Sequence, residues 1–151
     1  MTYLLSLFLL FVSISVNAAD DYLVVPALYV YDGDTIFTRL TLPPPLDNVK
    51  VRIAGIDTPE RPAKSYVSTG KLGRAECIKE AELALDARSF LINFIADGDG
   101  VLLLRNFKWG KYGSRIIADV QTRGTDLGQL MIRHNLAVPY DGGTKTHSWC
   151  D

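Results

Sequence analysis

The chain has 151 residues, enough for one domain with a genuine core and too few for two. A net charge of −1, from 16 Lys and Arg against 17 Asp and Glu, excludes a uniformly basic nucleic-acid binder. The cations are nevertheless grouped: Arg61, Lys64, Lys71 and Arg74 share one acid-free segment, and Arg105, Lys108, Lys111 and Arg115 share another. Half the positive charge thus sits in two short stretches, which suits a localised polyanion-binding face.

In chain order, Tyr3 to Val16 is almost wholly apolar and is followed by Val16-Asn17-Ala18, the residue types a signal peptidase reads. The run is shorter than the ~20 residues a membrane span requires. Residues 1–18 are therefore expected to be a cleaved signal peptide, with the mature domain over 20–151. No Lys or Arg precedes the apolar run, so an uncleaved anchor stays open as the alternative. The expected protein is exported, periplasmic or secreted, without stable membrane association after cleavage, and monomeric.

Tyr22 to Tyr31 is rich in β-branched and aromatic residues and predicts a strand, with Pro26 at an edge or bend. Asp32-Gly33-Asp34 predicts a tight turn, with Asp-Gly supplying the unusual dihedrals. Thr35 to Leu42 alternates as a second strand, Pro43-Pro44-Pro45 breaks it, and Val49 to Ile56 makes a third. Glu60 to about Arg74 reads as a long surface loop. From about Ala75 to Ala96 the period becomes helical, with Leu83, Ala87, Phe90, Leu91 and Phe94 on one face.

Val101 to Phe107 and Arg115 to Thr122 predict a fourth and fifth strand around the basic turn Lys108 to Ser114. Leu127, Leu130, Met131 and His134 mark a shorter C-terminal helix. Five strands with a long helix after the third is the order of an OB-type barrel, so the expected class is mainly β with α (α+β). Cys77 and Cys150 are the two cysteines, and in an oxidising compartment an even pair becomes a disulfide. It would pin Ser148-Trp149-Cys150 to the start of the long helix and contribute about 3–5 kcal/mol through its long loop.

The chemistry lies in two motifs, Asp32-Gly33-Asp34-Thr35 and Arg52-Ile53-Ala54-Gly55-Ile56-Asp57-Thr58-Pro59-Glu60. Converging carboxylates repel, and a hard divalent cation with oxygen ligands relieves that repulsion. Asp34, Asp57 and a backbone carbonyl near Thr58 suit Ca²⁺; Mg²⁺ shares the ligand types. No His-Cys cluster, HExxH or GxSxG occurs, so zinc protease and serine hydrolase are unsupported. Arg52 beside the acids fits a bidentate grip on phosphate. Glu60 is placed to orient or deprotonate a water. Each residue also has a structural reading: Asp32 as a turn former, Asp34 and Asp57 as caps or Asx-turns, Arg52 as an outward strand residue, Glu60 as a partner of Arg61.

These motifs, followed by a long helix and Lys111-Tyr112-Gly113-Ser114-Arg115, resemble the staphylococcal (micrococcal) nuclease family from about Val24 to Ala137. The resemblance implies a five-stranded OB barrel and a calcium-dependent endonuclease acting on DNA and RNA with low sequence preference. It implies scission of the 5′ P–O bond, leaving 3′-phosphate ends. Asp34, Asp57 and the Thr58 carbonyl are the implied calcium ligands, with Asp32 supporting them from behind. Arg52 and Arg115 are the implied phosphate clamps, Glu60 the base, and Lys111, Tyr112 and Tyr140 the substrate contacts. One departure stands out: the best-known member has arginine directly after Tyr-Gly, whereas Ser114 intervenes here. The competing expectations are a non-catalytic OB module that binds nucleic acid or a protein, and an exported calcium-binding protein without nuclease activity.

Overall fold

The computed structural model describes residues 21–40, 47–111 and 115–151. The expected leader over 1–18, the Pro43–Pro45 break, Tyr112, Gly113 and Ser114 lie outside the described residues. The elements are β1 (Tyr22–Val30), β2 (Thr35–Arg39), β3 (Asn48–Ile53), β4 (Ile56–Asp57), α1 (Tyr66–Thr69), α2 (Ile78–Asp97), β5 (Val101–Trp109), β6 (Arg115–Thr122), β7 (Thr125–Asp126), α3 (Leu127–Arg133) and β8 (Val138–Pro139).

Strands β3, β2, β1, β5 and β6 pair antiparallel in that order, and β6 then returns to pair parallel with β3. The result is a closed five-stranded barrel of OB type, with a long helix after its third strand and a short one near its C-terminus. Closure follows from alternation. Along β6 every second residue is buried, and Ile116, Ala118 and Val120 meet Val49, Val51 and Ile53 of β3 in one continuous core. Each buried Ile or Leu contributes about 1.5–3 kcal/mol of hydrophobic stabilisation, so a one-residue slip of β6 would forfeit several such contributions at once.

The long helix buries a stripe that shares Ala87 and Leu91 with the predicted face and is rotated from it toward the alanines. Ala81, Ala84, Ala87, Leu91 and Ile95 are buried, while Leu83, Phe90 and Phe94 are only half covered. Alanine side chains let the helix axis approach the barrel closely, and the bulkier residues spread along its flanks. Phe90 stacks on Phe94 at 6.3 Å and meets the His134 ring at 4.5 Å, tying α2 to the end of α3. Among the described residues no helix is long and apolar enough to cross a membrane.

Three local departures position the site. Between Ala27 and Tyr29 the β1–β2 register shifts at a bulge next to Pro26, which places Tyr29 directly opposite Phe37. The predicted third strand stops at Ile53, because Gly55 turns the chain at φ +76° into the short strand β4. That strand pairs with β8, Ile56 opposite Pro139 and Asp57 opposite Val138, which carries the C-terminal segment back to Asp57. The surface loop after Glu60 holds a single helical turn, α1.

Candidate active site

The Asp32-Gly33-Asp34 turn joins β1 to β2, held by hydrogen bonds from the Tyr31 amide to the Thr35 carbonyl and from the Ile53 amide to the Asp34 carbonyl, both 2.8 Å. Gly33 does not adopt the left-handed conformation its sequence context predicts. Its role is proximity: a Cβ there would stand 3.0 Å from Thr58 Cβ and 3.1 Å from Ala87 Cβ. The turn therefore presses against the 57–60 segment on one side and α2 on the other.

The register sets the neighbours. Thr35 on β2 lies opposite Arg52 on β3, so Asp34 and Arg52 come together at the barrel rim. Arg52 Nη1 donates to Asp34 Oδ2 at 2.5 Å, Nη2 donates to the Ile56 carbonyl at 3.2 Å, and Nη2 lies 3.9 Å from Asp57 Oδ1. Asp34 also accepts from the Thr35 hydroxyl at 2.7 Å and the Thr58 hydroxyl at 3.3 Å, while its amide donates to Asp32 Oδ1. Asp34, Asp57 and Thr58 are all buried. One guanidinium thus lies between the two aspartates that the sequence singles out.

Arg115 enters through the parallel pairing of β3 and β6. It lies opposite Lys50, two residues from Arg52 along an outward-facing row. Asp32, Asp34, Arg52, Thr58, Glu60 and Arg115 line one cleft of about 170 Å³. The intervening Ser114 therefore does not exclude Arg115 from the neighbourhood of the acids. Asp57 opens instead onto an adjoining cleft with Tyr140 and Lys145. The Tyr140 ring is 6.0 Å from the Arg52 guanidinium, its amide donates to the Gly55 carbonyl, and its hydroxyl donates to the Gly143 carbonyl. Lys111, exposed beyond β5, is not among the residues lining the carboxylate cleft, and Tyr112 falls outside the described residues.

Two participants, Glu80 and Lys145, carry no sequence signal of their own, and a third, Arg74, is marked in the sequence only as part of a basic cluster. Glu80, buried in the first turn of α2, accepts from the amides of Glu60 (2.9 Å) and Glu76 (2.6 Å), anchoring both ends of the intervening loop. Arg74 Nη2 lies 2.5 Å from Glu60 Oε2. Lys145, on the C-terminal tail, lies 2.7 Å from Asp57 Oδ1 and 2.9 Å from Glu60 Oε1. Glu60 accordingly pairs with Arg74 and Lys145. Arg61, its expected partner, stacks over the Tyr31 ring at 4.2 Å. The tail is tied down by the Cys77–Cys150 disulfide, whose first cysteine caps α2. Its pairing and its placement at the helix start match the sequence expectation.

Burial pushes the Asp32 carboxyl up to about 6, and the negative charge of Asp34 acts in the same direction. Burial pulls the Lys145 ammonium down, but the Asp57 and Glu60 carboxylates outweigh it, leaving its pKa above the usual value. Among the described residues no three His, Cys, Asp or Glu side chains gather as a metal-binding group. The oxygen donors a hard cation would use are the buried Asp34 and Asp57 carboxylates and a Thr58 oxygen, with Asp34 and Thr58 on one cleft and Asp57 on the adjoining one. These hard oxygens suit Ca²⁺ or Mg²⁺. Arg52 and Lys145 already neutralise those carboxylates, so a metal must replace the lysine or share its partner.

Fold and site together define an OB-type barrel bearing an arginine–carboxylate cleft at its rim. No protein-family model matches the chain, and comparison with curated proteins finds no match.

Proposed function

We propose that this chain is an exported, metal-dependent endonuclease of the staphylococcal nuclease kind, hydrolysing phosphodiester bonds in DNA and RNA. The observation carrying the proposal is the single cleft shared by Arg52, Arg115, Asp34, Thr58 and Glu60. Three arginines, Arg52, Arg74 and Arg115, lining one small polar cleft with carboxylates suit a phosphate whose charge grows during attack. Arg52, held by Asp34 and the Ile56 carbonyl, is oriented in advance, so little reorganisation is needed when that charge develops. Glu60, once freed from Arg74 and Lys145, orients or deprotonates the attacking water. The proton passes from water to carboxylate and later to the departing 5′ oxygen, leaving a 3′-phosphate.

Asp34, Asp57 and the Thr58 carbonyl would hold Ca²⁺, with Mg²⁺ the alternative. When bound, the ion polarises a phosphoryl oxygen and lowers the pKa of water. Phosphate contacts carry no sequence information, so low specificity is expected. The disulfide is in keeping with an oxidising compartment and hence with export.

A second reading has one observation in its favour: Arg52 and Lys145 already neutralise Asp34 and Asp57, as in a self-contained structural network. It makes the chain a binding module without hydrolysis. Incubation with supercoiled plasmid in millimolar calcium separates the two. Degradation abolished by chelator and by Glu60→Gln supports the nuclease; binding without cleavage supports the module.

A further inference from the structure

Beside the carboxylate cleft lies a second groove of about 390 Å³, walled by Tyr29 at the end of β1, the 61–67 segment and α2. Arg61, Lys64 and Arg88 line it, and among the described residues no acid does. The two spaces share a wall: Tyr31 lines the cleft, and the Arg61 guanidinium that lines the groove stacks over its ring. Three aromatic rings run along this edge. Phe37 stands opposite Tyr29 across the β1–β2 ladder with ring centroids 6.0 Å apart, and Tyr31 lies 6.0 Å from Phe37 on its other side.

Core packing does not account for these rings. Tyr29 is about half exposed (48%), and Phe37 and Tyr31 are partly open. The bulge at Leu28 turns Tyr29 outward into line with Phe37. Arg88 is fixed in advance, its Nε donating to the Val30 carbonyl at 2.9 Å while its guanidinium lies over the Tyr29 ring at 5.2 Å. Exposed rings interleaved with cations are the elements of a single-strand track, where bases stack on π-faces and cations follow the phosphates.

We propose that this groove is a nucleotide subsite that holds single-stranded nucleic acid flanking the phosphate in the cleft, with a base against the half-exposed Tyr29 ring and phosphates on Arg61, Lys64 and Arg88. As a statement about substrate it rests on the nuclease reading; as a statement about binding it does not.

The test uses fluorescence anisotropy of a labelled ten-residue oligothymidylate in EDTA, where metal-dependent hydrolysis is blocked. Tyr29→Ala is expected to weaken binding at least about fivefold, the scale of removing one base stack, while Tyr29→Phe keeps it. Arg61→Ala with Lys64→Ala is expected to flatten the salt dependence, by roughly 0.7 in log–log slope for each phosphate no longer neutralised. Equal oligonucleotide binding by wild type and Tyr29→Ala, with Tm preserved, overturns the subsite. Tyr29-dependent binding by a wild type that cleaves nothing upholds the subsite and removes the nuclease reading. Cleavage with no effect of Tyr29→Ala on binding does the reverse.

Discussion

Lys145 Nζ sits 2.7 Å from Asp57 Oδ1, joining the C-terminal tail to a carboxylate buried at the barrel rim. The same ammonium reaches Glu60 at 2.9 Å. One flexible cation therefore neutralises a proposed metal ligand and the proposed base together. Anything that binds Asp57 must compete with it. Lys145→Ala is expected to tighten Ca²⁺ binding by about tenfold, the equivalent of ~1.4 kcal/mol, because the metal no longer displaces an ion pair. Titration calorimetry reads this directly. Unchanged affinity would mean that Lys145 and the metal do not compete.

Arg52 holds Asp34 in the resting state and is proposed to grip phosphate in the reacting one. Lysine keeps the charge and loses the planar fork. Arg52→Lys is expected to lower kcat by at least about 100-fold, or ~3 kcal/mol of barrier, with much less effect on Tm. Arg115→Ala, which leaves the Arg52–Asp34 pair in place, is expected to show a similar kinetic loss. Undiminished kcat in Arg52→Lys contradicts the clamp role.

Asp32 provides a pH signature for the metal-free protein. Its folded-state pKa lies near 6, above its ordinary value of 3.8, so between those limits the native state binds more protons than the unfolded chain. Stability from this group is therefore lost as pH rises from about 4 to 6, and its ionisation opposes folding at neutral pH. Asp32→Asn keeps an oxygen acceptor for the Asp34 amide and carries no charge. It is expected to raise Tm in EDTA at pH 7, on the order of 1–2 kcal/mol, with the gain gone below pH 4. A gain of equal size at both pH values would assign the effect to something other than charge.

The Cys77–Cys150 bridge closes a loop with a sequence separation of 73. Chain entropy assigns such a loop about 4 kcal/mol. Cys150→Ser is expected to lower stability by that order in urea melts. Reductant is expected to reproduce the loss in wild type and add little in the variant. Because the bridge also secures the tail, the same variant is expected to loosen Lys145 and move metal affinity in the direction of Lys145→Ala.

Glu80 touches neither cleft, yet it holds the Glu60 amide. Glu80→Gln keeps one oxygen acceptor and cannot satisfy both amides as a carboxylate does. Lower kcat together with weaker oligonucleotide binding is the expected result, since the 61–67 segment of this loop walls the groove. Protection of the 60–76 amides in hydrogen exchange is expected to fall in parallel.

The sequence alone determined what neighbours along the chain dictate: alternation in β1, β2, β3, β5 and β6, the helical period of α2, the Asp32–Asp34 turn, and hence the OB barrel. It also marked Asp34, Arg52, Asp57 and Glu60 as candidates, because several charged groups gathered at the ends of apolar strands invite a chemical reading beside the structural ones of cap, turn and surface pair. The tertiary structure decided what depends on register and on where loops return. The opposition of Lys50 and Arg115 across two parallel strands brings Arg115 to the cleft, whatever the spacing of its motif suggests. The turn at Gly55 and the pairing of β4 with β8 deliver Lys145 to Asp57. The bulge at Leu28 aims Tyr29 outward. Local pattern is set by side-chain period, which a sequence displays; charge partners and ring alignments come from contacts between distant segments, which form only once the barrel has closed.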